Sequence, residues 1–330
     1  MTREPQATRP AGAAARAGAG PTAPVGVLLM TYGSAVTSAD VPEYLRSVYR
    51  GKDPDPAVVA EFERRYDVVG RSPLIDITRA QAEALQRLLD ERDGPGGRYR
   101  VETGMLHSAP RIAEGIAKLA ADGVQRVIAI VLAPQYSPII MGGYGRAVEA
   151  AAGLLGDGTA VTVAGPWHDT PGWLDTLAEL TREARARLDP ATPVLFTAHS
   201  LPKAVVDRDQ GYIDQLRQTI DGVVERAGVP ADRWRFAYQS AGHTPEEWLK
   251  PDLKDLLPGI KADGHAGVLV VPVQFVADHL EILYDIDVAA REEAEAEGLA
   301  FHRTELPNAR PPFVRALADV VDREERGSSS

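Results

Sequence analysis

The chain has 330 residues, 44% of them hydrophobic and 25% charged, with a net charge of −11 and no cysteine. These totals suit a globular protein with room for a sizeable core, and the acidic balance excludes a general nucleic-acid binder. The missing thiols exclude disulfides, thiolate nucleophiles and cysteine-ligated zinc or iron–sulfur sites, so any metal must be met by nitrogen and oxygen.

Residues 1–24, rich in Ala, Gly, Pro and Arg, lack the apolar run of a secretory signal and read as a disordered tail. No apolar run reaches the roughly 20 residues of a spanning helix, so no transmembrane segment is expected. Val25 to Met30 is continuously apolar, the pattern of a strand buried on both faces of a parallel sheet, and leads into Thr31-Tyr32-Gly33-Ser34. Ser38 reads as the cap of a helix through Val41, Tyr44, Leu45 and Val48, stopped by Gly51. A second helix opens near Pro56, and Thr78 followed by Gln81 has the capping-box pattern for a third. Strands over Tyr99–Met105, Val127–Ala133 and Val161–Ala164 then alternate with helices starting near Pro110, running through Tyr144 and starting at Pro171.

The alternation continues with strands Val194–Ala198, Trp234–Tyr238, Val268–Val273 and Ala300–Arg303. Helices are expected around Tyr212 to Val224, around Leu253 to Ile260, from Asp278, and from Asn308 through Val321. Equal numbers of strands on either side of about residue 168 predict two similar doubly wound, Rossmann-like α/β halves with a cleft between them. The expected division is a tail over 1–24, an N-terminal α/β domain over 25–168 and a C-terminal one over 169–307. A last helix over 308–325 packs back on the N-terminal domain, and 326–330 is tail.

The chemistry gathers at strand ends. His199 follows Val194–Ala198 and precedes Pro202, which cannot continue a ladder, so one imidazole is carried to the carboxyl edge where open α/β sheets bind ligands. Tyr32, His107 and Gln135 also follow strands. Asp278, Glu281 and Asp285, spaced three and then four apart, predict one face of a helix, although carboxylates in a first turn also serve the helix dipole alone. An imidazole with carboxylates suits Fe²⁺, Zn²⁺, Co²⁺ or Mg²⁺, or a proton relay. Arg46, Arg50, Lys52, Arg64, Arg65 and Arg71 concentrate positive charge, as a solvated helix face or as a dock for a polycarboxylate. Ser137 to Tyr144 reads as the wall of a flat apolar pocket or as the first turns of a core helix. His107, His243 and His279 show no shared geometry.

Taken together, these segments resemble the ferrochelatase family, which inserts ferrous iron into porphyrins. Thr197-Ala198-His199-Ser200-Leu201-Pro202 resembles the family hallmark (S/T)-x-H-(S/G)-(hydrophobic)-P. Gln239-Ser240 through Trp248-Leu249-Lys250-Pro251 resembles its Gln-Ser…Trp-Leu-x-Pro loop, and Pro272 to Glu281 its Pro-x-x-Phe-x-x-Asp-His-x-Glu segment. The likeness runs from Val25 to Val321. Tyr32, in Met-Thr-Tyr-Gly-Ser, is similar to the tyrosine of the branch that acts on coproporphyrin III.

The resemblance implies a chelatase-type fold, with coproporphyrin III and Fe²⁺ as substrates and Fe-coproporphyrin III as the product, in haem biosynthesis. It implies that His199 and Glu281 are catalytic and meet the metal, that Asp285 is an outer relay, and that Tyr32 lies axial to the product iron. Arg50, Arg65, Tyr66, Ser72 and Tyr144 fall on positions that bind the macrocycle or its propionates. No resident cofactor, no iron–sulfur cluster, no nucleic-acid partner, a cytoplasmic location, a monomer and a transient contact with the next haem-pathway enzyme complete the expectation. Whether His199 accepts a proton or ligates iron is open, and protoporphyrin IX, another tetrapyrrole chelatase or a non-catalytic carrier are the alternatives. Two stretches depart from the family pattern. Asp207 to Tyr212 replaces the usual Gly-Asp-Pro-Tyr, and the acidic face stops at Val288-Ala289, which weakens a second metal site there.

Overall fold

The computed structural model describes residues 24–94, 97–155, 159–242 and 246–327. The expected tails lie outside these residues except for Pro24, Arg326 and Gly327, and so does His243.

The first sheet holds β1 (Val25–Thr31), β2 (Tyr99–Met105), β3 (Arg126–Val131) and β4 (Ala160–Val163) in the order β2-β1-β3-β4. The second holds β5 (Val194–His199), β6 (Trp234–Gln239), β7 (Gly267–Pro272) and β8 (Ala300–Arg303) in the order β6-β5-β7-β8. Within both sheets the described strands pair in parallel. The two orders are the same, so β1 and β5 each lie between the next two strands of their own sheet. Crossovers therefore leave each of them in opposite directions, which opens a crevice at their carboxyl ends. Tyr32, one residue past β1, and His199, the last residue of β5, occupy equivalent stations in the two halves. Both strands are apolar because helices cover both faces, and all seven β1 residues are buried.

The helices are α1 (Val41–Val48), α2 (Pro56–Val69), α3 (Leu74–Asp93), α4 (Ile112–Ala121), α5 (Pro138–Ala151), α6 (Pro171–Arg185), α7 (Lys203–Val206) and α8 (Gly211–Ala227). They continue with α9 (Leu253–Ala262), a π-helix (Glu281–Ala290) running into α10 (Arg291–Ala296), and α11 (Pro311–Gly327).

Several local expectations are corrected. Thr37, not Ser38, caps the turn before α1, its N–H and hydroxyl donating to the Asp40 carboxylate at 2.8 and 3.0 Å. Thr78 and Gln81 do not open a helix. α3 begins at Leu74, the Thr78 hydroxyl donates to the Leu74 carbonyl one turn back at 2.8 Å, and Gln81 is buried. Its amide crosses to the other half instead, donating to the carbonyls of Asn308 at 2.9 Å and Val276 at 3.4 Å. Asp278 precedes its helix rather than starting it, and Asn308 stands outside α11 with φ of 46°. Asparagine tolerates that left-handed backbone, and its side chain is spent on Asp278, so α11 starts later. It also runs to Gly327, past the expected end at 325.

One apolar core passes through both halves, joining Leu29 and Ile130 of the first sheet to Phe196 and Val271 of the second. At the junction Trp167, Trp173 and Phe313 are fully buried in edge-on contact, with Trp167 and Trp173 centroids 5.4 Å apart and Trp173 and Phe313 5.9 Å apart. α11 brings Phe313 there by packing on both α3 and α6. Gln135, buried in the loop after β3, donates to the Val273 carbonyl at 3.3 Å and to Thr219 at 3.1 Å, tying the first half to the second. Among the described residues no helix is long and apolar enough to cross a membrane.

Candidate active site

His199 is held from several directions. Its N–H donates to Gln274 Oε1 at 2.8 Å, and its carbonyl accepts from the Tyr212 hydroxyl at 3.0 Å. Its Nδ1 faces the Ser200 carbonyl, which can only accept, so Nδ1 carries the proton. Whenever the ring is neutral, its lone pair is therefore on Nε2. That nitrogen lies 3.7 Å from Glu281 Oε2.

Glu281 has a second imidazole beside it. His279 Nε2 is 3.6 Å from the same carboxylate oxygen, and His279 Nδ1 donates to the Ala277 carbonyl at 2.9 Å. Burial opposes ionisation of Glu281, but His199 and His279, with a smaller pull from Arg65, outweigh it and hold the carboxyl down at about 2. His279 moves the other way. Burial disfavours its charge, yet the Glu281 carboxylate raises its pKa above the usual histidine value.

Asp285 lies four residues on, in a π-helix whose i→i+5 bonding widens the turn while leaving Glu281 and Asp285 near one face. Burial lifts its carboxyl above the aspartate range against the pull of the Ser240 hydroxyl; Glu281 adds to the rise and Arg65 reduces it. The neighbouring carboxylates thus have opposite tendencies, one staying ionised and the other taking up a proton more readily. Asp278, expected on the same face, is elsewhere. It accepts from Asn308 Nδ2 at 2.8 Å and pairs with Arg303 at 3.3 Å, because it precedes the helix.

The remaining expected residues lie as follows. Tyr32 is exposed over 45% of its surface, and its phenol is pushed above its ordinary value by partial burial and then by the Glu281 charge. Arg65 bridges to the other half, Nη1 to Asp285 at 3.2 Å and Nε to Glu61 at 2.8 Å, with its guanidinium against the Tyr284 ring. Arg50 ends the α1 turn at φ of 57°. A left-handed non-glycine residue costs roughly 1 kcal/mol or more, which a functional side chain would justify. Tyr66 and Ser72 are buried behind the loop after β1, Tyr66 donating to the Ala35 carbonyl at 3.0 Å and Ser72 lying 3.1 Å from the Ser34 hydroxyl. Tyr144 is buried, and burial pushes its phenol far up. Of the expected pocket wall, Ile139 at the start of α5 is exposed.

Sequence reasoning left His279, Trp248 and the π-helix unassigned. The signal for His279 was its place two residues before Glu281, which a regular helical face discards. Trp248 is brought to His199, with ring centroids 6.4 Å apart, where Pro202 bridges Trp248 and the Leu249 N–H donates to the Leu201 carbonyl at 3.0 Å. The hallmark segment and the Gln-Ser…Trp loop are thus zipped together. Among the described residues no three His, Cys, Asp or Glu side chains form a metal cage.

Two doubly wound halves with an imidazole–carboxylate pair at the switch point of one of them have the architecture of a metal chelatase. SirB from Bacillus subtilis, solved with Fe3+, superposes with a TM-score of 0.57 at 12% identity, covering 91% of this chain and 94% of that one. Residues 24–325 match the Ferrochelatase family. A ferrochelatase of Deinococcus radiodurans is 35% identical over 91% of this chain and 96% of its own length. A coproporphyrin III ferrochelatase of a Geobacillus strain is 34% identical over 90% and 96%. The chain belongs to the ferrochelatase family, and it is a metal chelatase.

Proposed function

We propose that this chain inserts Fe²⁺ into coproporphyrin III, releasing two protons and Fe-coproporphyrin III, as a cytoplasmic step of haem biosynthesis. The observation that carries the reading is His199 Nε2 set 3.7 Å from Glu281 Oε2 at the end of β5. Metallation needs an acceptor for two pyrrole protons and an anionic group that meets iron as it sheds water. In its neutral form His199 can take a proton at Nε2. Glu281, held ionised, is a poor resting place for a proton and suits the metal, while Asp285 accepts protons more readily and passes them outward.

Tyr32 stays a neutral phenol in the empty cleft, and iron in the product is the charge that would ionise it as an axial ligand. Arg50 and Arg65 pair with propionates, Arg65 exchanging its contact with Asp285 for a substrate carboxylate. The branch assignment rests on Tyr32, on the basic residues and on relatives that carry the coproporphyrin name.

An anaerobic absorbance assay with Fe²⁺ and either porphyrin tests this. The expected result is faster metallation of coproporphyrin III. Preference for protoporphyrin IX would overturn the branch, and no spectral change with either would overturn the reaction.

A further inference from the structure

The loop that presents Tyr32 is fastened unusually closely to the loop after β2. Leu106 N–H donates to the Thr31 carbonyl at 3.0 Å and His107 N–H to the Tyr32 carbonyl at 2.9 Å, extending the β1–β2 ladder beyond both strands. Gly33 has φ of 86°, and a Cβ there would sit 2.4 Å from Ser108 Oγ, so only glycine fits. The Ser34 N–H donates to that same Ser108 hydroxyl at 3.2 Å. Against this frame the His107 ring lies on the Tyr32 ring, with centroids 4.5 Å apart and planes at 58°.

His107 is itself held in one orientation by a hydrogen-bonded chain. Arg111 Nη1 donates to the Leu106 carbonyl at 3.0 Å and to Ser47 Oγ at 2.9 Å. A guanidinium only donates, so Ser47 accepts there, and His107 Nδ1 lies 3.2 Å from the same hydroxyl. The Leu106 and His107 backbone groups already close the ladder, so these side-chain contacts fix the ring rather than the strands.

We propose that His107, oriented by Ser47 and Arg111, is the positioning residue that sets the Tyr32 ring in the cleft. This rests on the reading above in which Tyr32 meets the product iron. Ser47 lies on α1 and Arg111 immediately before α4, so the contact also couples the placement of the tyrosine to two helices that do not touch iron.

The test uses the full-length protein with Ser47→Ala, Ser47→Thr, His107→Gln and Tyr32→Phe. On the substrate-free protein, the His107 ring resonances, assigned by their loss in His107→Gln, are expected to show ring-to-ring NOEs to Tyr32. Ser47→Ala should weaken those NOEs, and Ser47→Thr should restore them. On the ferric product complex, the tyrosinate charge-transfer band lost in Tyr32→Phe should shift in Ser47→Ala and return in Ser47→Thr. Turnover of Ser47→Ala should fall roughly tenfold in kcat with KM changed less than about twofold, the signature of misplacement rather than lost binding. Absence of those NOEs in wild type, or a Ser47→Ala protein with unchanged NOEs and band, overturns the inference. Absence of iron insertion by wild type overturns the functional reading instead, and the NMR arm still decides the role of His107.

Discussion

At the scale of residues, the centre of the molecule is a carboxylate between two imidazoles. His199→Ala removes the Nε2 acceptor while leaving the cleft walls, so porphyrin binding should persist and turnover should fall by roughly 100-fold or more, measured by fluorescence quenching and stopped-flow absorbance. Glu281→Gln removes the charge that favours a protonated imidazole beside it, so the acid limb of the pH–rate profile should move to lower pH. An unchanged limb would argue against direct coupling. The same pair makes a stability prediction. The Glu281 carboxyl is depressed from 4.5 to about 2, so its contribution is fully present above 4.5 and is lost as pH falls through about 2. His279 is raised above 6.5, so its contribution is present below 6.5 and fades as pH rises through its folded value. A shift as large as that of Glu281 is worth roughly 3 kcal/mol when dry. With 42% of its side chain open to solvent, screening leaves roughly 1 kcal/mol. The stability lead of wild type over Glu281→Gln in urea titrations should therefore be greatest between pH 4.5 and 6.5 and shrink on either side.

At the scale of elements, the π-helix is anchored before and after its catalytic turn. Asp287 on it accepts a bidentate pair from Arg303 of β8 at 2.7 Å for both contacts, and the same guanidinium reaches Asp278 at 3.3 Å. Arg303 is largely buried, so Arg303→Leu leaves two carboxylates uncompensated and should cost roughly 3 kcal/mol in a urea titration. Arg303→Lys should recover only part of this, because a point charge cannot bind both Asp287 oxygens. Hydrogen exchange should quicken first along 281–290. The strand-ending position of His199 was legible from a buried run followed by Pro202, and Glu281 from its motif. The helix start was not legible, because Asp278 in a first turn and Asp278 held by Asn308 and Arg303 look alike in one dimension. Thr78 and Gln81 failed for a similar reason: a capping pattern in sequence became an internal back-bond and a strut to the opposite half.

At the scale of the whole molecule, the two sheets share a core, and α11 closes it by seating Phe313 between Trp167 and Trp173. Phe313→Ala should cost roughly 3–5 kcal/mol. Because that side chain serves both halves, unfolding followed by tryptophan fluorescence and by circular dichroism should remain a single coincident transition at a lower midpoint. Separate transitions would show that the halves are less coupled than the shared core implies. Cleft geometry depends on this coupling, since Tyr32 belongs to one sheet, His199 to the other, and Arg65 of α2 reaches Asp285 of the π-helix.

The sequence by itself determined the eight strands, their alternation with helices and the family, because burial on both faces of a central strand and the residues of a motif are written within a few neighbouring positions. It also placed His199 at a strand end. Only the tertiary structure decided that His279 joins Glu281, that Asp278 leaves the site, that Arg65 bridges to Asp285, and that the His107 ring lies on Tyr32. Each of those depends on which carbonyl, hydroxyl or charge the fold sets beside a side chain, and such neighbours come from elements far apart in the chain.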